Sequence, residues 1–466
     1  MLDGSMTQAE AKADERKEFR NIDFAHTEAA RMVELITRPE EQVTRADRER
    51  VTKETTENFA NHINKGFLEY RKSVTESGDF ALTEWKGQGS IMIDALGREY
   101  IDALGGFGIY SAGIRHPEIV AAVKAQLDRS PQYSQEMLDP LRAHLGKVIA
   151  NLTPGDLQYM FFNNSGTEAT EGAMKLAKFY TGRSGFISTT GAFHGKSLGS
   201  LSVMGKACFR KPLMPLLGNT RHVPFGDADA LEQLLAICEQ VGDDIAGFIA
   251  EPVQGEAGGV VPPDDYWPRV REICDRYGIL LIADEVQTGL GRTGKIFGVD
   301  NWNVVPDIMT LGKALGGGVM PMAAFVASPK IWKVMEPNPF MHTSTTGGNP
   351  LACSAALAYI NVMLKEDLPG QAAEKGAYVM GRLAELKAKY PQVLAGYRGK
   401  GLLIGMEFAT DETGYKVASG LFKRHVLTAG TLTNAKAIRI EPALNIPYEL
   451  LDEILNRLED TFKSIA

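Results

Sequence analysis

The strongest constraint in this chain is an alternation. From about Pro131 to Pro350, apolar runs of strand length give way to amphipathic helical stretches: "LQYMFFNN" then "TEATEGAMKLAKFY", "GFISTT", "IAGFIAEPV" then "YWPRVREICDRYG", and "ILLIADEV". Runs that are apolar at consecutive positions suit strands buried on both faces, and an intervening helix is the connection that parallel neighbours need. The pattern predicts an α/β fold with a mostly parallel sheet covered by helices. At 466 residues the chain has room for more than this unit.

The flanks read differently. Residues 1–84 are densely charged, with apolar residues at helical spacing in "AARMVELI" and "FANHINKGFLEY". They predict a helical N-terminal arm with too little apolar surface for a core of its own, which packs on something else, such as a second subunit, or stands as a solvated helix pair. Its first six residues, "MLDGSM", read as a vector remnant with Met6 as the natural start. In residues 85–130, "GSIMIDALGREYIDALGGFGIY" predicts short strands and a Gly-rich loop, the N-terminal part of a smaller domain. Residues 131–350 form the large domain. Residues 351–466 return to the smaller α+β domain through two long helices, the strand "GLLIGMEFA", a helix, the strand "AIRIEPAL" and a last helix.

Composition narrows the partners. A net charge of −8 gives no electrostatic reason to bind nucleic acid. Cys208, Cys238, Cys274 and Cys353 are scattered, without CxxC pairs or zinc spacing, which fits a reduced cytoplasmic protein and predicts no metal site. No apolar run is long enough to span a membrane, and the N-terminus is charged rather than signal-like. Small molecules are the expected partners.

Three motifs carry chemistry. In "ILLIADEVQTGLGRTGK" the apolar run ends at Ala283, so Asp284 and Glu285 lie at the carboxyl end of a strand, where open parallel sheets bind ligands. An apolar strand ending in Asp-Glu also occurs in P-loop ATPases, but the nearest phosphate-loop candidate, "GAFHGKS", has only three residues between its glycines instead of four. In "FFNNSGTEATEG" a strand passes through Ser165, Gly166 and Thr167 into a helix, with Glu168 at capping-box spacing from Ser165. Free backbone N–H groups, small hydroxyls and the positive end of a helix suit a phosphate. In "PDIMTLGKALGGG", Lys313 sits between an apolar run and three glycines.

A phosphate turn, Phe193 between alanine and His194, an acid at a strand end and a lysine in a Gly-rich turn together resemble the class III aminotransferases, pyridoxal phosphate enzymes of fold type I. The resemblance runs from about Trp85 onward and is most specific in "ADEVQTGLGRTGK" and "PDIMTLGKALGGG". It implies a large domain with a mostly parallel seven-stranded sheet, plus the smaller α+β domain. "GAFHGKSLG", "FRKPLMPLLGNTRHVPFG", "KALGGGVMP" and "TAGTLTNAKAIRIEPAL" are similar to bacterial putrescine aminotransferases, as is the long charged arm, which ornithine and acetylornithine aminotransferases normally lack.

If the resemblance holds, Lys313 joins its amine to the aldehyde of pyridoxal 5'-phosphate and later moves a proton from the substrate carbon to the cofactor. Asp284 would pair with the pyridine nitrogen, and Gln287 would lie beside the ring hydroxyl. Val286 and Phe193 would take the two ring faces, with His194 beside them. Ser165, Gly166 and Thr167 would bind the phosphate, joined by Thr345 from a partner subunit, which requires a homodimer or larger homo-oligomer. Thr346 stands where the family often has an aromatic. Glu251 and Glu256 form a carboxylate pair near the substrate. Glu256 would be the movable partner of Arg439, which binds the acceptor's carboxylate.

The implied reaction moves a terminal amino group from a diamine, putrescine or cadaverine, to a 2-oxo acid, 2-oxoglutarate or pyruvate, in two ping-pong halves. Putrescine would give 4-aminobutanal, which cyclises. Ornithine, acetylornithine or another ω-amino acid is the alternative donor, because a one-methylene difference discriminates only about 10- to 200-fold.

Overall fold

The computed structural model describes residues 21–69, 82–133, 137–430 and 436–465. The "MLDGSM" segment lies outside the described residues, as do parts of the arm and the "TLTNA" of the Arg439 motif.

Three antiparallel strands come first: β1 (Glu84–Gln88), β2 (Ile91–Asp94) and β3 (Glu99–Asp102). The central sheet uses β4 (Tyr159–Asn163), β5 (Gly185–Thr189), β6 (Thr220–Val223), β7 (Ile245–Ala250), β8 (Leu280–Asp284), β9 (Ile308–Leu311) and β10 (Ala323–Ala327). Its seven strands run in the order β4-β10-β9-β8-β7-β5-β6. Neighbours from β9 to β6 are parallel, whereas β10 is antiparallel to both β9 and β4. This is the fold type I sheet, mostly parallel with one reversed strand. Every residue of β5, β7, β8, β9 and β10 is buried, which is why these segments read as unbroken apolar runs. Side chains such as Phe248 and Ile282 each contribute about 1.5–3 kcal/mol by leaving water.

The smaller domain holds β11 (Leu394–Lys400), β12 (Leu403–Phe408), β13 (Val426–Leu427), β14 (Ala429–Gly430) and β15 (Ala437–Ile440). Four of these form an antiparallel sheet in the order β11-β12-β15-β14, while β13 pairs in parallel with β3 and so ties the C-terminal region to the first strands. In the arm, the helices Ile22–Thr37 and Arg45–Asn58 pack through Leu35, Val43 and Val51 against Met32 and Trp85. The Trp85 indole N–H lies 3.2 Å from the Glu40 carboxylate, so the arm docks on β1 of its own chain. No helix among the described residues is long and apolar enough to cross a membrane.

Strand ends place the chemistry. The parallel strands β7, β8 and β9 finish on one edge of the sheet, which raises Glu251, Asp284 and Lys313 on the same side. Beside them the helix Gly166–Thr181 starts at Ser165, whose hydroxyl caps Glu168 N, and stops at Gly182 in the left-handed conformation.

Candidate active site

A cavity of about 390 Å³ opens at this edge. Its walls are Ser165, Gly166 and Thr167 from the helix start, the turn Phe193, His194, Gly195 and Lys196, then Glu251, Asp284, Val286, Gln287 and Lys313. Ten of these twelve are residues singled out from the sequence.

Asp284 is held from three sides. Its Oδ2 lies 2.7 Å from His194 Nδ1, while Oδ1 accepts from Thr310 Oγ1 at 3.0 Å and from Val286 N at 3.1 Å. Burial alone would raise its pKa, but the hydrogen bond and charge of His194 outweigh burial and hold the carboxyl below its ordinary value. His194 is itself buried. Burial would lower its pKa, and the hydrogen bond and charge of Asp284 reverse that and raise it, so each partner favours the charged form of the other. An ionised acid fixed at a strand end is suited to keep a proton on a basic ring nitrogen.

Lys313 follows Gly312 and opens a single 3-10 turn, Lys313–Gly316. Its φ is +46°, a left-handed conformation that costs a side-chain-bearing residue energy and is typical of functional sites. Burial lowers its pKa, with Glu441 and Glu256 the foremost charges opposing the shift. The amine is thereby biased toward the neutral form that attacks carbonyls.

At the phosphate turn, Thr167 Oγ1 lies 2.7 Å from Ser197 Oγ and 2.8 Å from Ser200 Oγ, so three hydroxyls gather at one helix start. Gly166 is required there: a Cβ would stand 2.9 Å from Val286 Cγ1.

With the fold and this geometry in place, one comparison decides the family: the model for aminotransferase class-III matches residues 73–462. The chain belongs to the class-III aminotransferases. Similar solved structures agree. A transaminase from the marine bacterium Virgibacillus shares 28% identity over 88% of this chain and 99% of its own, with a TM-score of 0.82. The ornithine aminotransferase of Toxoplasma gondii ME49 shares 29% over 86% and 94%, with a TM-score of 0.78. An amine transaminase from an uncultivated Pseudomonas species, solved in its PLP-bound form, shares 31% over 83% and 95%, with a TM-score of 0.77.

The cofactor of this class-III aminotransferase is pyridoxal phosphate, and the residues present fit it. The cavity joins a helix-start hydroxyl cluster to a fixed carboxylate and an amine of lowered pKa. Among the described residues no cluster of His, Cys, Asp or Glu could hold a metal ion.

Of the other predicted residues, Glu251 is a wall of the cavity, whereas Glu256, Arg439 and Thr345 are not. Glu251 accepts from Phe193 N at 3.1 Å and Gly255 N at 3.2 Å, and burial pushes its pKa up to about 7. Glu256 turns elsewhere, its Oε1 lying 2.7 Å from Arg439 Nη2, with both side chains buried. Thr345 is exposed and sits outside the cavity, in a cleft with Tyr133, Asp139 and Arg142. Thr346 donates to Asn164 Oδ1 at 2.9 Å, which ties its loop to the phosphate turn.

Sequence reasoning missed four contributors to this site. Thr310 holds Asp284, Ser197 and Ser200 hold Thr167, and Glu441 accepts from Gln287 Nε2 at 2.8 Å. For Glu441 a signal existed: it follows Arg439 by two residues, one strand period, in "AIRIEP".

Proposed function

We propose that the enzyme takes a terminal amino group from a diamine, putrescine or cadaverine, and passes it to a 2-oxo acid, 2-oxoglutarate or pyruvate, releasing an aminoaldehyde. The observation that carries this reading is the closed ion pair of Arg439 and Glu256, fully buried at 2.7 Å. A diamine has no carboxylate to claim the guanidinium, so the pair can stay shut while the donor reacts. A dicarboxylic 2-oxo acid would displace Glu256 and bind Arg439 bidentately.

In this reading Ser165, Gly166 and Thr167 hold the cofactor's phosphate, with Thr345 of a second copy completing the site in a homodimer or larger homo-oligomer. Phe193 and Val286 would flank the cofactor's ring, Asp284, oriented by His194 and Thr310, would keep the ring nitrogen protonated, and Gln287 would serve the ring hydroxyl. Pyridoxal phosphate, when bound, supplies an aldehyde for the amine and an electron sink for the deprotonated carbon. Lys313 Nζ, biased toward its neutral form, takes the proton from the amine-bearing carbon and returns it one atom away. We place the domain limits at residues 1–84, 85–130, 131–350 and 351–466, a division supported by the pairing of β13 with β3.

The likeness to the Toxoplasma ornithine aminotransferase supports a second reading, with ornithine, acetylornithine or another ω-amino acid as donor. Initial rates with 2-oxoglutarate and each donor in turn decide between them. The diamine reading predicts the highest kcat/KM for putrescine or cadaverine, and it is abandoned if an amino acid donor exceeds both.

A further inference from the structure

Glu441 is fully buried just beyond β15, and its backbone N–H donates to Ala103 O at 2.9 Å. The loop Gly105–Gly108 lets it lie so close. A Cβ on Gly105, whose φ is +58°, would stand 2.0 Å from Glu441 O. A Cβ on Gly108 would stand 2.9 Å from Glu441 Oε1 and 3.5 Å from Lys313 Cδ, so the acid and the reactive lysine converge on the bare face of Gly108.

The two oxygens of Glu441 are unequal. Oε1 accepts from Gln287. Oε2 has no hydrogen-bond donor among the described residues, although Arg439 Nη1 stands 3.4 Å away. That nitrogen also lacks a hydrogen bond, because Glu256 has drawn the guanidinium to itself through Nη2. Arg292, the other nearby guanidinium, spends its Nη atoms on Leu402 O, Pro442 O and Ser111 Oγ. One guanidinium thus faces two buried carboxylates, and the second is left with an oxygen that accepts no hydrogen bond, on a side chain that meets Lys313 across Gly108. A buried carboxylate oxygen without a donor is costly, and a cationic ligand group would relieve it.

We propose that Glu441 is a specificity-determining residue that receives the distal ammonium of the diamine donor. The assignment rests on the diamine reading above. Glu256 occupies Arg439 during the donor half-reaction, and Glu441 Oε2 supplies the carboxylate that a second amine, rather than a second acid, would seek.

The test mixes the holoenzyme rapidly with putrescine or with butylamine, which lacks the distal charge, in the absence of oxo acid. The concentration dependence of the visible spectral change gives a dissociation constant and a limiting rate for each amine. Native enzyme should bind putrescine about 10- to 100-fold more tightly than butylamine, the range expected for a hydrogen bond between charged groups. Glu441→Gln should bring that ratio below about 3, costing putrescine more than butylamine. Loss of both amines equally, or a putrescine advantage that survives the substitution, overturns the assignment of Glu441 alone. A native enzyme without preference for putrescine overturns the diamine reading and this assignment with it. Should E441Q not fold, Glu441→Asp decides: it must cost putrescine more than butylamine.

Discussion

Lys313 carries its amine on a left-handed backbone, at φ +46°, in surroundings that lower its pKa. Both features cost stability and serve reactivity, so Lys313→Ala should reduce turnover by about 10³-fold or more while the melting temperature stays the same or rises. Activity assays and thermal melts check the two halves separately. Glu251 offers a pH test. Its pKa is higher in the folded chain, about 7, than its ordinary 4.5, so the folded state binds the proton more tightly. Its contribution to stability is full below pH 4.5 and falls as pH rises through 7, by about 3 kcal/mol in all. Glu285, also near 7 through burial, acts in the same sense. Melting temperature should therefore decline from pH 5 toward pH 8, and Glu251→Gln should flatten part of that slope. Asp284 and Lys313 were legible because a strand end and a glycine run mark them in the chain. Thr310 was not, since a lone hydroxyl inside a strand has many ordinary roles, and Glu441 is marked only by its two-residue spacing from Arg439; what they hold appears when β8, β9 and β15 are set side by side.

Helix packing sets the next scale. Gly172, in the helix Gly166–Thr181, is pressed against β10: a Cβ there would stand 2.2 Å from Phe325 Cε1. Gly172→Ala should destabilise by about 1–3 kcal/mol through overpacking. Gly381, in the helix Leu368–Lys389, has nothing within 4 Å of that position, so Gly381→Ala should stabilise by about 0.5–1 kcal/mol. Chemical denaturation of the two variants side by side measures the contrast. The parallel strands and their helices were readable because burial on both faces leaves continuous apolar runs. The reversal of β10 has an equally simple cause: between Leu311 and Ala323 lie a 3-10 turn, four glycines and a proline, which cannot form the helix that a parallel crossover uses. The two-residue strands β13 and β14 have no sequence period to detect, so the tie from β13 to β3 emerges only in three dimensions.

At the scale of the whole molecule, the exposed Thr345 stands apart from the cavity of its own chain. If a second copy brings it to the phosphate, Thr345→Ala should weaken pyridoxal phosphate binding about 10-fold, as expected for one charge-assisted hydrogen bond, without altering that cavity. A co-refolded mixture with K313A should regain tight sites, because one site of each hybrid dimer then holds native Lys313 and native Thr345. Cofactor titration reads both results. Aminotransfer from a diamine is tested most directly by the visible spectrum of the purified holoenzyme, recorded before putrescine, after putrescine without oxo acid, and after 2-oxoglutarate. The lysine-bound cofactor band should give way to the pyridoxamine form with putrescine and return with 2-oxoglutarate. A band unmoved by putrescine but discharged by ornithine would contradict the diamine donor, and no band at all in protein incubated with pyridoxal phosphate would contradict the role given to Lys313.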